Sequence, residues 1–275
     1  MISTSSSIDK ANIAKLKVFE ESVQNNLAAN MVSAWDADHV TKGTTWVLND
    51  KWGGNNGIFY NDISTACSTT TCPQIVSDNQ IGNVLSFDGV NDYIDLGNNN
   101  DLNMSSEITV SVWIKNKNSG AEKIVLGKGW YNDPNGRSWW ILKDWDNKLK
   151  FGIITDNHEA IYNNVINTTG ATWYHVVGTY DNSKIKIYVN GDKGTDYDKT
   201  GSFISNSSVK IGIGHYNGYI SYGFDGLIND IKIYNAALSS AQIKQNYIAG
   251  LNSLLNNGNM SKEEYYEKIN ALAYE

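Results

Sequence analysis

Apolar residues enter this chain at helical spacing and then change to alternation. Across residues 8–34, Ile13, Leu16, Phe19, Val23, Leu27 and Met31 recur at three- and four-residue steps. That spacing draws one apolar stripe along an α-helix. Lys10, Lys15, Lys17, Glu20, Glu21 and Asn25 fall on its wetter faces. At 1.5 Å per residue the helix would be roughly 35–40 Å long, and Trp35 continues the stripe onto the region that follows. Beyond Trp35 the period shortens. Strand-like runs cover residues 84–87, 93–96, 108–114, 138–142, 148–153, 173–180, 209–213 and 226–234, with Asn/Gly/Asp turns between them. Residues 184–189 alternate strictly through Ile185, Ile187 and Val189 and end in Asn190-Gly191, a strong hairpin signal. Many short strands with turns between them predict a mainly β chain, a sandwich or jelly roll. Two short helices close it. Ser239 to Gln242 reads as a capping box with Gly250 as the stop, Ser261 to Glu264 reads as a second box, and 252–258 reads as the loop between. The expected organisation is a helix over 1–34, a sandwich over 35–249 and a helical tail over 250–275.

Composition narrows this picture. The 275 residues have room for one large β domain with helical appendages, and hydrophobic residues (41%) suffice for a sizeable core. Aromatic residues are frequent (9 Trp, 16 Tyr, 6 Phe), Gly numbers 24 and Pro only 2, a mix that suits strands and tight turns. A formal charge of −7 argues against nucleic acid or an anionic membrane as partner. An Asp-rich, Glu-poor surface suits calcium, which takes oxygen ligands. Cys67 and Cys72 are read either as a small loop-closing disulfide, which would mean an oxidising, exported setting, or as reduced thiols. Residues 1–7 are polar and hold no apolar signal core or membrane span, so an exported chain must have had its targeting segment removed.

Four ordered motifs carry a resemblance. Residues 85–94 (Leu-Ser-Phe-Asp-Gly-Val-Asn-Asp-Tyr-Ile), 173–181 followed by 187–191, and 224–239 resemble the opening, middle and closing signatures of laminin-G-like, concanavalin A-like jelly rolls. Residues 9–35, with 242–251 and 261–265, resemble the helix and tail of bacterial type IV pilin-like proteins that carry such a domain. This second resemblance implies a pilin-like or pseudopilin-like subunit, exported to the bacterial surface. Its partners would be other pilin subunits, with membrane contact only through an apolar N-terminal segment absent here. The other reading of residues 8–34 is a helix packed across a sandwich, in a freestanding extracellular carbohydrate-binding or adhesive module. Its partners would be surface glycans or cell-surface proteins.

The jelly-roll resemblance implies a structural Ca²⁺ held by Asp38, Asp50, Gly53, Asn56 and Asp230. Asn229, where relatives usually carry Asp, removes one ligand. The alternative is that Asp50 and Asn56 only make Asx turns. Catalysis is not expected. No Glu-x-Asp-x-Glu triplet stands on any strand, Asp144 and Asp146 flank Trp145 in a turn, and His39, His158, His175 and His215 show no metal spacing. Trp130, Tyr131, Tyr216, Tyr219 and Tyr222 lie in turn-rich segments where exposed rings could stack on sugars, as could Trp145. For adjacent Trp139 and Trp140 a strand would place one ring in and one out.

Overall fold

The computed structural model describes residues 18, 21–23, 25–61, 66–67, 71–104, 106–117, 120–129, 139–153, 158–162, 166, 169–170, 172–202, 211–214 and 222–272. Among these residues the strands pair antiparallel into two sheets. The first has eight strands, in the order β15 (Asp192–Asp198), β14 (Lys184–Val189), β13 (Tyr174–Asp181), β8 (Glu107–Asn116), β17 (Asp225–Tyr234), β6 (Gly82–Asp88) and β5 (Gln74–Asp78), with β1 (Met31–Trp35) also paired to β17. The second has nine. It runs β12 (His158–Tyr162), β11 (Leu149–Ile153), β10 (Trp139–Lys143), β9 (Lys123–Lys128), β16 (Ile211–Ile213), β7 (Tyr93–Asp95), β4 (Gly57–Tyr60), β3 (Val47–Leu48) and β2 (Val40–Thr41). Neighbours far apart in sequence, such as β8 beside β17 and β9 beside β16, make this a jelly-roll sandwich.

Alternation builds the layer between the sheets. Ile108, Val110, Val112 and Ile114 of β8 join Val176, Tyr180, Ile228, Ile231 and Ile233 in one cluster with Phe59, Ile94, Leu126, Trp139, Ile141 and Phe151 of the second sheet. Each fully buried aliphatic side chain of this kind is worth about 1.5–3 kcal/mol. Gly178 lets the layers close: a Cβ there would stand 2.2 Å from the Phe151 ring. The expected hairpin is present, with Asn190 at φ 55 and Gly191 at φ 84 between β14 and β15. Cys67 and Cys72 are disulfide-bonded and buried.

Both ends of the chain depart from the expected pattern. Residues 21–23 and 25–28 are helical, and Val23 and Leu27 are buried against Val177, Tyr188, Tyr234, Leu238 and Ile243 on the outer face of the first sheet. The chain then turns at 29–30, and Met31–Trp35 is a strand whose Ser33, Ala34 and Trp35 pair with Ile233, Lys232 and Ile231. The helix therefore does not reach residue 34. Met31 sits four residues after Leu27, so periodicity extends the stripe through a segment that main-chain pairing to β17 claims as strand. Residues 1–17 lie outside the described residues.

At the other end, α1 (Ser240–Asn256) begins at the expected capping box on Ser239 but runs straight past Gly250. It stops at Gly258, where φ is 75 and the N–H groups of Gly258 and Asn259 donate to the carbonyls of Leu255 and Leu254. Gly250 serves close approach instead, because a Cβ there would come within 2.8 Å of Trp113 Cζ2. After α2 (Lys262–Ala271), the tail lies on the sandwich. Tyr247, Leu251, Met260 and Tyr265 pack on Val84, Trp113, Trp173 and Leu227, which covers the outer face of the first sheet. Among the described residues no helix is long and apolar enough to cross a membrane.

Candidate functional site

The loop expected to wrap an ion is closed by hydrogen bonds. Asp50 Oδ1 accepts from the N–H groups of Ala34 and Trp52, and its Oδ2 accepts from Asn55. Asn56 Oδ1 accepts from the Asp50 N–H at 2.8 Å. Gly53 is pressed on β1, where a Cβ would stand 2.1 Å from the Val32 carbonyl. Asp38 accepts from Asn83 Nδ2, and Asp230 pairs with Lys232 at 2.8 Å. Asp38 and Asp230 do share a cleft lining, but Asp50, Gly53 and Asn56 are not part of it. The side-chain oxygens of Asp50, Asn56, Asp38 and Asp230 accept from backbone N–H groups, an amide and an amine, with Asp50 in an Asx-turn arrangement. Among the described residues no three acidic, His or Cys side chains converge closely enough to hold an ion. What the loop does is fasten β1: Trp35 Nε1 donates to the Asn55 carbonyl, and the buried Asn55 amide donates to Ser33 Oγ.

The aromatic residues separate into buried and exposed sets. Trp139 lies in the central cluster and Trp140 on the opposite face against Leu142, so one ring points in and one out as alternation requires. Both are nearly inaccessible, at 1% and 5% exposure, and neither offers a free ring face. Trp130, Tyr131, Tyr216 and Tyr219 lie outside the described residues; Tyr222 is half-buried. Trp145 stands out at 61% exposure.

Trp145 sits at the tip of the β10–β11 hairpin. The Asp144 N–H donates to the Lys148 carbonyl and the Asn147 N–H to the Asp144 carbonyl, and Asn147 turns through φ 61. Ion pairs Asp144–Lys150 at 2.6 Å and Asp146–Lys148 at 2.7 Å flank the ring. Asn147 Oδ1 accepts from the Gly120 N–H and from Lys143 Nζ, both at 3.1 Å, which ties the hairpin to the β8–β9 loop. The ring is thus exposed on an ordered turn between two carboxylates.

Beneath it lies a set of perturbed charges. Lys143 stands directly opposite Lys123 in the ladder. Burial pushes the Lys143 pKa down to about 8, and the Lys123 charge adds to that shift. Burial also lowers Lys123, partly offset by Asp225 and Asp88, while its Nζ donates to the Gly89 carbonyl at 3.2 Å. Asp88 and Asp225 are cross-strand partners. Asp88 Oδ1 accepts from Val90 N–H at 2.8 Å, closing the β6–β7 turn. Asp92 is 4% exposed; burial, with the Asp88 charge, raises its pKa to about 7. Its Oδ2 accepts from the Asp88 N–H, but its Oδ1 is sealed from solvent without a partner. The Asp92 carboxyl is thus sealed beneath the β6–β7 turn. Periodicity gives no sign of the Lys123–Lys143 juxtaposition, since the two residues sit twenty positions apart in the sequence and meet only through strand pairing.

Comparison with known proteins agrees with this architecture. A family model described as the concanavalin A-like lectin/glucanases superfamily matches residues 88–244. Among solved structures, domain 4 of AbnA, a GH43 extracellular arabinanase from Geobacillus stearothermophilus, in complex with arabinotriose, is 21% identical. It superposes with a TM-score of 0.59, over 79% of this chain and 98% of that one. The ligand-binding domain of botulinum neurotoxin serotype D in complex with N-acetylneuraminic acid is 18% identical, with a TM-score of 0.59 over 83% of this chain and 53% of that one. Trypanosoma rangeli sialidase in complex with sialic acid is 15% identical, with a TM-score of 0.57 over 85% and 38%. The chain thus spans about half of the toxin domain and less of the sialidase. At these identities the likeness is one of fold. No curated protein matches. The family match covers more than half of the residues, includes the β6–β7 turn and runs into α1, so the chain belongs to the concanavalin A-like lectin/glucanases superfamily.

Proposed function

We propose that this chain is an exported, non-catalytic carbohydrate-binding module whose stacking platform is Trp145. The observation that carries this reading is a tryptophan 61% exposed on a hairpin locked by two ion pairs. An exposed indole on a preordered turn loses little entropy on binding and stacks on the apolar face of a sugar ring, while flanking carboxylates accept from its hydroxyls. The disulfide supports an oxidising, extracellular setting. Sealing of Asp92 and the lack of a Glu-x-Asp-x-Glu strand support binding without hydrolysis. A glycan array followed by calorimetry tests the reading. Trp145→Ala should keep the melting temperature and weaken saccharide binding about tenfold or more; silence of the folded wild-type protein across the array, or an unaffected variant, refutes it.

A second reading is display on a pilin-like filament through the N-terminal helix. Val23 and Leu27 seat that helix on the first sheet, as a stem-borne domain requires. The native gene tests this: a basic leader and about twenty apolar residues upstream of Met1 support it, and a cleavable signal peptide retires it.

A further inference from the structure

Lys128 ends β9 and is a cation that the fold takes almost wholly out of water, at 1% exposure. Its cross-strand neighbours are Trp139 on one side and Ile211 on the other. Its Nζ reaches the loop after β7, where it donates to the Leu102 carbonyl at 3.2 Å and to Asn103 Oδ1. Leu102 is fully buried in the central cluster and Met104 packs against that cluster, so the surroundings of the amine are apolar. The receiving carboxamide is fixed by its own backbone. Asn103 caps the short 3-10 turn Asn100–Leu102, and its N–H donates to the Asn100 carbonyl at 3.0 Å. A lysine buried this deeply normally pairs with a carboxylate. Here both described acceptors are neutral.

Burial pushes the Lys128 pKa down to about 8, and among the described residues no neighbouring charge contributes to that shift. About one molecule in ten therefore carries a neutral, nucleophilic amine at pH 7, and about half do at pH 8. Lys143 supplies the contrast. It is equally buried, and its Nζ also donates to an Asn side chain, Asn147 Oδ1. Yet Lys123, Asp144 and Asp146 all act on the Lys143 charge, and Asn147 Oδ1 is shared with the Gly120 N–H. Lys143 and Asn147 also belong to one hairpin, so joining them would tie together nothing that the turn does not already tie. Lys128 and Asn103 stand on separate elements, 25 residues apart. An amine held against a single carboxamide has the proximity that turns a slow bimolecular reaction into an intramolecular one.

We infer that Lys128 and Asn103 become joined by an isopeptide bond, a covalent clamp between β9 and the loop after β7. The Nζ lone pair attacks Asn103 Cγ. The Nζ–Cγ bond forms as the Cγ–Nδ2 bond breaks, and Nδ2 leaves as ammonia, carrying a proton given up by Nζ. Nothing is oxidised or reduced, and no co-reactant is consumed. With no carboxylate among the described partners of the amine to relay that proton, the bond forms slowly. The purified protein is incubated at about pH 7 and about pH 9, on either side of the amine's midpoint, and its intact mass is measured after denaturation and reduction. A tryptic map follows. The mass should fall below that of the sequence by one ammonia, faster at the higher pH. The map should hold a branched peptide joining residue 103 to residue 128, with no cleavage after Lys128. Lys128→Arg and Asn103→Ala should lack the branched peptide, and the wild-type map decides the matter if either fails to fold. An unchanged mass at both pH values would overturn the clamp. Loss of ammonia without the branch would overturn it as well, since ring closure at an Asn-Gly pair changes the mass equally. Equal rates at the two pH values would overturn attack by the neutral amine.

Discussion

The two faces of β8 bury the same stretch of chain in opposite ways. Ile108, Val110, Val112 and Ile114 look between the sheets and meet only apolar neighbours. Thr109, Ser111, Trp113 and Lys115 look outward, yet they are equally buried, at 7% exposure or less, because the helices lie over them. On this outer seam many polar groups have a partner, although His175 Nδ1, Asn252 Nδ2 and Tyr234 Oη are buried without one. Ser111 Oγ lies 2.8 Å from His175 Nε2, Thr109 Oγ1 donates to the Ala236 carbonyl, and Tyr265 Oη donates to Asn252. Lys115 pairs with Asp78 at 2.8 Å, and Trp173 Nε1 donates to the same carboxylate. The inner layer tolerates exchange of one aliphatic residue for another; the seam depends on specific pairs, since an unpaired polar group there is costly.

The strongest way to break this contrast is to orphan one partner. Lys115→Met leaves Asp78 buried without its cation, and both side chains are under 10% exposed; urea denaturation should show a loss of about 3–5 kcal/mol. A loss near zero would mean that water reaches the seam. The next effect is acid sensitivity. Burial, with the Lys232 charge, pushes the His175 pKa down to about 3 from 6.5, Asp230 acting the other way. Between those values the unfolded chain binds the proton and the folded chain does not. His175 therefore contributes its full stability above pH 6.5 and loses it as pH falls toward 3, on the order of 3 kcal/mol by about pH 4. Asp92 has the opposite sign: its pKa is raised from 3.8 to about 7, so its contribution is lost as pH rises through that window. His175→Gln should flatten the acid limb of the stability curve, and Asp92→Asn should steepen it. An unchanged limb in His175→Gln would show that the ring is not buried neutral.

On the inner side, Gly178→Ala pushes a methyl group into Phe151 and should cost about 1–3 kcal/mol by overpacking, with no dependence on pH. Equal acid sensitivity in that variant's stability loss would blur the contrast between the layers. The smallest expected effect is that of a chelator. With the Asp50 oxygens already accepting backbone N–H groups, EDTA should move the melting temperature by less than about 1 °C, a few tenths of a kcal/mol. A drop of several degrees would restore a structural ion.

Much of the sandwich was legible because alternation is a local property. The runs around residues 108–114 and 173–180, and the Asn190-Gly191 turn, each declare a strand or hairpin within a few residues. The failures came where two periods coincide or where a residue serves a distant contact. Met31 fits the helical stripe and the strand equally well, and Gly250 looks like a helix stop but is shaped by Trp113. The Trp145 hairpin was partly visible: Asp144 and Asp146 in a turn around Trp145 could be read directly, whereas the hydrogen bonds that close the loop around Asp50 emerge only in the fold.

The order of apolar and polar residues by itself determined the mainly β class, the strand positions, the closing helices with their capping boxes, and the low charge that favours packed strands. These follow from hydrophobic periodicity and turn chemistry, which act over a few neighbouring residues. Only the tertiary structure decided which polar residues of β8 and β13 are buried and that β1 joins β17. Those outcomes depend on helices and strands separated by more than a hundred residues meeting across one sheet, and no local pattern encodes the pairing energy that brings them together.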